Sequence, residues 1–465
     1  MKRLLAAALL ACPLLWACAR EKPGPVRTLE SDDLTRPTEE WLRQESVRLL
    51  RDYVRIDTTA ARGEAEGAEF LRRFFECEGI EVETVCPAPG RCNVLARLPG
   101  RRREGALLLL NHIDVVEAHP QFWKEAGPFE GRIKHGFLYG RGAYDMKSLG
   151  IAQALAMARL KRRGVVPETD ILFLGEADEE IGQRWGTRWL LAHRPEWFAG
   201  VGQVLNEGGM TEMILRDVVL WGLETLQAGY GLLEFEAVSE GPLESLKSRW
   251  PEASGPAVEP HPHVVLGFDL LANRMASPLT DPLRHLDRVI RNPQELAILP
   301  DRFGSFLEPR MDWSLIYRHP ARMDRARRFV AVSVPPGVSP EPYLRPIREA
   351  ARAEGLTILT EVVSEATSAS PYPTPFTELI RRVTESRWPG TPFGPLPTYG
   401  GYTTSILLRE GGIPTYGFQP IAMNINDAGR RHNNDERVFL RDYVNGVDLL
   451  SDVVEEFATS PPPAN

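Results

Sequence analysis

The chain has 465 residues, 43% of them hydrophobic and 25% charged, with a formal net charge of −8 and five cysteines. That composition is ordinary for a globular protein, and the length exceeds what one hydrophobic core organises, so two domains are expected. The negative balance and the lack of a long Lys/Arg run exclude a nucleic-acid surface; Arg101-Arg102-Arg103 reads as a solvated turn before a strand.

The first segment carries an address rather than a fold. Met1-Lys2-Arg3 is a basic start, and Leu4 to Leu15 is an apolar run too short to span a bilayer. It ends in Leu15-Trp16-Ala17-Cys18, which resembles a bacterial lipobox with Cys18 as the lipidated residue. Leu9-Leu10-Ala11-Cys12 is a poorer candidate, and an ordinary secretory signal is the alternative. Residues 1–18 therefore read as a lipoprotein signal peptide and 19–37 as a polar tether, giving an exported protein held by lipid on a bacterial membrane, facing periplasm or cell exterior. Export permits a disulfide. Cys86 and Cys92 flank the turn-forming Pro87-Ala88-Pro89-Gly90-Arg91, while Cys77–Cys86 stays open as the other pairing.

From residue 38 to about 230, helices and strands alternate. Glu39–Arg51 and Gly67–Glu78 have helical spacing. Asn93–Leu98, Ala106–Asn111, Asp170–Gly175 and Gly202–Leu205 are short apolar strands. Lys147–Arg163 is an Ala- and Leu-rich helix closed by Gly164, with Lys161, Arg162 and Arg163 complementing its C-terminal dipole. This alternation predicts an α/β catalytic domain: a mostly parallel sheet flanked by helices, with ligands beyond the carboxyl ends of the strands. Residues 231–365 read differently. Tyr230–Val238 alternates like a half-buried strand, Pro242–Pro262 reads as a loop, and His263–Met275 as an amphipathic helix. Strand Phe329–Val334, helix Pro340–Glu354 and strand Leu356–Glu365 follow, giving an inserted α+β lid. After a Ser/Thr/Pro-rich hinge at Ser364–Phe376, the catalytic domain resumes over 366–460 with helices at Phe376–Arg387 and Asp442–Phe457 and a strand at Thr415–Phe418.

Chemistry-bearing residues collect at predicted strand ends. His112 and Asp114 lie two apart on an extended segment, so their side chains share a direction. Asp145 opens a helix after the glycine turn Gly140-Arg141-Gly142, Glu179 and Glu180 follow the strand 170–175, and Glu207 sits in a Gly-rich turn. His432 stands in a polar loop far downstream. Taken singly, each is more often a solvated side chain; four clusters at four strand ends form a set of N and O donors suited to a borderline metal.

These residues resemble the aminoacylase/carboxypeptidase S/carboxypeptidase G family of cocatalytic zinc peptidases. The resemblance runs through His112-Ile113-Asp114-Val115-Val116, Tyr139-Gly140-Arg141-Gly142-Ala143, Asp145-Met146-Lys147, Asp178-Glu179-Glu180-Ile181-Gly182 and Glu207-Gly208-Gly209. A weaker match covers Gly400-Gly401, Gly412-Ile413-Pro414, Tyr416-Gly417-Phe418 and His432 with Glu436. It implies two zinc ions per subunit, with Co or Mn as substitutes. Asp145 bridges both ions, His112 and Glu207 hold one, and Glu180 and His432 the other. Glu179 is the general base and Asp114 orients His112. The implied reaction is hydrolysis of an amide or peptide bond in a small peptide or N-acyl amino acid by a zinc-bound hydroxide, with a homodimer through the lid. Asn206 stands where some relatives have Asp; a neutral amide is a poor zinc ligand, so Glu207 is chosen.

Two departures bear on substrate. The family's Gly-His-(small) lid motif reads Gly255-Pro256-Ala257, with His261 and His263 nearby as candidate substitutes at the oxyanion or as ordinary loop histidines. The family's Gly-Thr-Asp-x-Arg reads Gly401-Tyr402-Thr403-Thr404-Ser405-Ile406, so its acidic and basic positions are gone. The alternative reading is a surface lipoprotein that binds peptide or metal without catalysis. Glu179 argues against it, because an unliganded carboxylate in a desolvated site only raises the cost of a pure binder. No GxSxG elbow supports a serine hydrolase.

Overall fold

A computed structural model describes residues 32–460 apart from 210, 215–216, 252, 319–321, 366–367 and 399–402. The expected leader with Cys18, most of the tether, and Gly400, Gly401 and Tyr402 therefore lie outside the described residues. No described helix is long and apolar enough to cross a membrane.

The central sheet has six strands in the order Glu81–Ala88, Arg91–Leu98, Thr169–Glu176, Arg102–His112, Val201–Asn206, Thr415–Gly417. The last four are mutually parallel and the first two join antiparallel. Every residue of Thr169–Glu176 is buried, as are the last seven of Arg102–His112, which is why these strands read as unbroken apolar runs. The helix Lys147–Arg162 covers one face, against the helices Glu45–Val54 and Leu440–Thr459. Its contact with the sheet is close: a Cβ on Gly150 would stand 2.9 Å from Asn111 Oδ1. The edge strand Glu81–Ala88 escaped the sequence reading because it is largely exposed and carries no apolar run. Its turn into Arg91–Leu98 is closed by a Cys86–Cys92 disulfide, which decides between the two pairings.

The inserted region is a five-stranded antiparallel sheet in the order Ala253–Ser254, Arg310–Trp313, Ala326–Val334, Gly229–Ala237, Thr357–Ser364. Leu243 and Leu246 of one helix and Leu344 and Ile347 of another pack on Leu233, Phe235, Val330 and Val332. The first of these helices, Gly241–Arg249, falls in the stretch read as loop. Its Pro242 sits in the first turn, where a proline is tolerated, and the Leu243/Leu246 spacing supplies the buried stripe.

A further group of helices, beginning at Pro262–Ala272, lies between the strands Ala253–Ser254 and Arg310–Trp313. Val264, Phe268, Leu271, Phe303 and Phe306 form a separate core with Val219, Leu220 and Leu396, which flank the short parallel pair Trp221–Leu223 and Phe393–Pro395. Pro262–Ala272 lies directly on that pair, since a Cβ on Gly267 would stand 2.1 Å from the Pro395 carbonyl oxygen.

Candidate metal centre

Three parallel strands end together and deliver the cluster. His112 closes Arg102–His112 and lies in register with Glu176, the last residue of its neighbour. Beyond Glu176 the chain turns at Asp178, φ +68°, into a single helical turn carrying Glu179 and Glu180. Glu207 follows Val201–Asn206 directly, and Asp145 sits two residues before the helix Lys147–Arg162. His432, at φ +58°, arrives from the loop before the strand Arg437–Phe439.

All five expected ligands converge. Asp145 Oδ1 is 3.3 Å from His112 Nε2, and its other oxygen, Oδ2, is 3.2 Å from His432 Nε2. His112 Nε2 is 3.7 Å from Glu207 Oε1, and His432 Nε2 is 3.2 Å from Glu180 Oε1. Asp145 thus stands between two imidazole–carboxylate pairs. Donor atoms of His112, Asp145 and Glu180 lie within 4.8 Å of one another, as do those of His112, Glu179 and Glu207. Asn206 turns away, its Nδ2 donating to Ser405 Oγ at 3.1 Å.

Asp114 works somewhat differently from expectation. His112 Nδ1 is 2.8 Å from the Asp114 backbone oxygen and 3.5 Å from the carboxylate. The carboxylate instead accepts from the backbone N–H groups of Glu179 at 3.1 Å and Glu180 at 2.9 Å. One residue therefore fixes both the His112 ring and the Glu179–Glu180 turn.

The electrostatics ask for added positive charge. Burial, reinforced by Asp145, pushes Glu207 up to about 8. Burial likewise holds Glu179 well above the usual carboxylate range, with Glu207, Glu180 and Asp114 adding to it. For Asp145, hydrogen bonds from His112 and His432 outweigh burial and hold it well below its ordinary value. Burial disfavours a charged His112, but the surrounding Asp114, Asp145 and Glu207 outweigh it and raise the imidazole. Bonds to Asp145 and Glu180 carry His432 up to about 10. Protons on two histidines are a partial answer to that many acids; divalent cations on the same ring nitrogens and carboxylates answer it fully, so the donor set fits metal. Glu179 Oε1 is buried with no hydrogen-bond partner, the disposition of a group kept free for something else.

A sequence profile described as peptidase family M20/M25/M40 matches residues 108–456, three quarters of the chain and the whole of this cluster. The chain belongs to peptidase family M20/M25/M40. As a member it is a metal-dependent hydrolase of amide or peptide bonds. Human aminoacylase-1 is 24% identical over 432 residues, 90% of this chain and 96% of that enzyme. Pig aminoacylase-1 is 35% identical over 167 residues, a stretch covering 35% of this chain and 40% of the pig enzyme. In fold, human carnosine dipeptidase 1 covers 93% of this chain with a TM-score of 0.65 at 16% identity and 100% of its own length. An M20 family metallo-carboxypeptidase of Sulfolobus solfataricus covers 89%, and 99% of its own chain, with a TM-score of 0.63 at 14% identity.

The structure also places the other residues singled out in this M20 chain. His261 and His263 belong to neither donor group; they begin the helix Pro262–Ala272, where His263 Nδ1 is 2.9 Å from Thr225 Oγ1 and the two rings lie edge to face. Burial lowers both, His263 to about 4. The altered motif at 403–404 points inward: Gln227 donates to Thr403 Oγ1, and the Thr404 hydroxyl bonds Glu176. Two buried carboxylates next to the centre received no role from the sequence. Glu224 pairs with Arg409 at 2.7 Å and also bonds Thr398, whose hydroxyl accepts from Gly209 N at 2.9 Å. Glu436 binds the turn that carries Asp145. Nothing in local spacing marks Glu224; Glu436 stood in the family resemblance, without a role.

Proposed function

We propose that this enzyme hydrolyses the amide bond of an N-acyl amino acid or a small peptide at a two-zinc centre. Asp145 would be shared, with His112 and Glu207 available to hold one zinc and Glu180 and His432 the other. Bound zinc supplies a Lewis acid for the scissile carbonyl and brings the pKa of a water toward neutrality. Glu179 accepts a proton from the attacking water and passes it to the departing amine nitrogen, as the amide C–N bond gives way to a carboxylate and an amine. Asp114 keeps the Glu179 backbone and the His112 ring in place during that transfer. One observation carries this reading: a buried, unpartnered Glu179 oxygen beside the His112–Glu207 pair. A site built only to hold metal or peptide has no use for that group.

The substrate class is supported by similarity to the aminoacylases along most of the chain. The same proposal places the enzyme outside the cytoplasm, anchored through Cys18. Its test is a panel of N-acyl amino acids and dipeptides, run on chelated protein and after return of zinc or cobalt, with metal content measured on the same samples. Activity is expected to vanish on chelation and to return with metal. Glu179→Gln should keep its metal and lose about 10²- to 10⁴-fold in kcat; full turnover with metal retained would refute the base assignment.

A further inference from the structure

Glu436 lies four residues beyond His432, and its side chain is only 1% exposed. Oε1 accepts from the backbone N–H groups of Tyr144 at 2.9 Å and Asp145 at 3.0 Å. Oε2 accepts from Gly142 N at 3.0 Å and from Arg141 Nη1 at 2.7 Å. Its own carbonyl accepts from Gly140 N at 3.0 Å. One carboxylate thus has its four acceptor positions filled by one turn, and that turn ends at Asp145. The neighbouring Asp435 Oδ1 accepts from Lys124 N and Glu125 N, both at 2.9 Å, and Arg437–Phe439 pairs with Phe137–Tyr139.

His432 has no comparable anchor of its own. It is half-exposed, and among the described residues its neighbour Asn433 makes only the short-range bonds from N to Arg430 O and from Nδ2 to Gly429 O and Arg431 O. The 3.2 Å approach of His432 Nε2 to Asp145 Oδ2 joins two distant parts of the chain. The Glu436 carboxylate joins those parts through four hydrogen bonds to a charged acceptor, each about twice as strong as a neutral one.

We propose that Glu436 is a positioning residue for the metal centre: its buried carboxylate locks the His432 loop onto the Asp145 turn, so that the half of the centre made by Asp145, Glu180 and His432 is assembled only while this clamp is closed. The proposal rests on the ligand assignment above. It differs from a merely structural role, in which Glu436 serves to neutralise the buried Arg141 and any apolar replacement of the pair would do as well.

The test is calorimetric titration of zinc into chelated full-length protein, with stoichiometry confirmed by elemental analysis and the fold checked by circular dichroism. Four variants are compared: Glu436→Gln, Glu436→Asp, the double variant Arg141→Met/Glu436→Gln, and His432→Ala. Glu436→Gln offers one oxygen for four donors, and it should weaken one of two binding events by about 10- to 100-fold. Its kcat should fall at limiting zinc with KM little changed and recover with excess zinc. The double variant should regain stability and leave zinc binding weak; restored affinity would overturn the proposal in favour of charge neutralisation. Wild-type affinity at both sites in Glu436→Gln would also overturn it. If Glu436→Gln fails to fold, Glu436→Asp carries the same test, since it keeps the charge but cannot reach all four donors; wild-type zinc binding there refutes the clamp. His432→Ala separates the two levels. Retention of both zinc ions in it sinks the ligand assignment, whereas loss of one there with none lost in the Glu436 variants sinks only the clamp.

Discussion

Arg409 offers a demanding test of how the turn that carries Glu207 is supported. Its Nη2 lies 2.7 Å from Glu224 Oε1, with side chains 2% and 0% exposed. At that distance and an effective dielectric of ~20, the Coulomb attraction is about 6 kcal/mol, much of it offset by desolvation of both ions. Removing one partner leaves the other charge buried and unpaired, a cost of about 3–5 kcal/mol. Arg409 Nη1 already lacks a hydrogen-bond partner, so the lower end, about 3 kcal/mol, is expected for Arg409→Met. The damage should extend to the centre, because Glu224 also holds Thr398, which receives Gly209 N beside Glu207. Urea unfolding of chelated protein measures the stability change, and zinc titration measures the ligand turn. Glu224→Gln added to Arg409→Met should recover most of the loss, since no charge is then left unpaired. A single variant costing less than about 1 kcal/mol, or a double variant no better than the single, would refute the reasoning.

Two further outcomes are expected. Glu64 is fully buried and paired with Arg91 at 2.7 Å, yet burial and then the charge of Asp114 outweigh that partner and push it up to about 7. A raised acid stabilises the fold below its unfolded pKa and loses that contribution as pH climbs through the folded value. Between about pH 4.5 and 7.5, wild type should therefore lose about 3 kcal/mol relative to Glu64→Gln, read from urea midpoints at several pH values; parallel pH curves would contradict this. Replacing Cys86 and Cys92 together by serine should cost about 2 kcal/mol from the short loop they close. Amide exchange should rise first at Glu64 and Ala65, whose N–H groups both donate to Gly90 O on that loop; unchanged protection there would show the hairpin holds without its crosslink.

The central sheet was legible because its strands are buried on both faces and so appear as runs such as Leu107–Leu110. The candidate ligands were legible because His112, Glu180 and Glu207 stand where such runs stop, and because the whole pattern matches a family. Other features needed three dimensions. Glu81–Ala88 is mostly exposed and reads as polar chain. Gly241–Arg249 has a proline in its first turn and carries too few apolar residues to stand out. The helices between residues 262 and 307 bury their apolar face against Val219, Leu220 and Leu396, a surface that no local period announces. Glu224 and Glu436 take their meaning from Arg409 and from the Asp145 turn, partners remote in the chain.

The seam beneath Gly267 ties the helix Pro262–Ala272 to the strand pair Trp221–Leu223 and Phe393–Pro395. Val264, Phe268 and Leu271 are buried along it, and exposing them would cost about 5–9 kcal/mol at ~1.5–3 kcal/mol each. Fewer than about one molecule in a thousand would have that contact undone at any moment. The chain enters and leaves these helices through Gly255–Val258 and Leu307–Pro309, which are stitched by Gly255 N to Pro309 O at 2.8 Å and Val258 N to Leu307 O at 2.7 Å. The helices between residues 262 and 307 therefore stay seated on Val219, Leu220 and Leu396, and the two stitched segments form their joint to the inserted sheet.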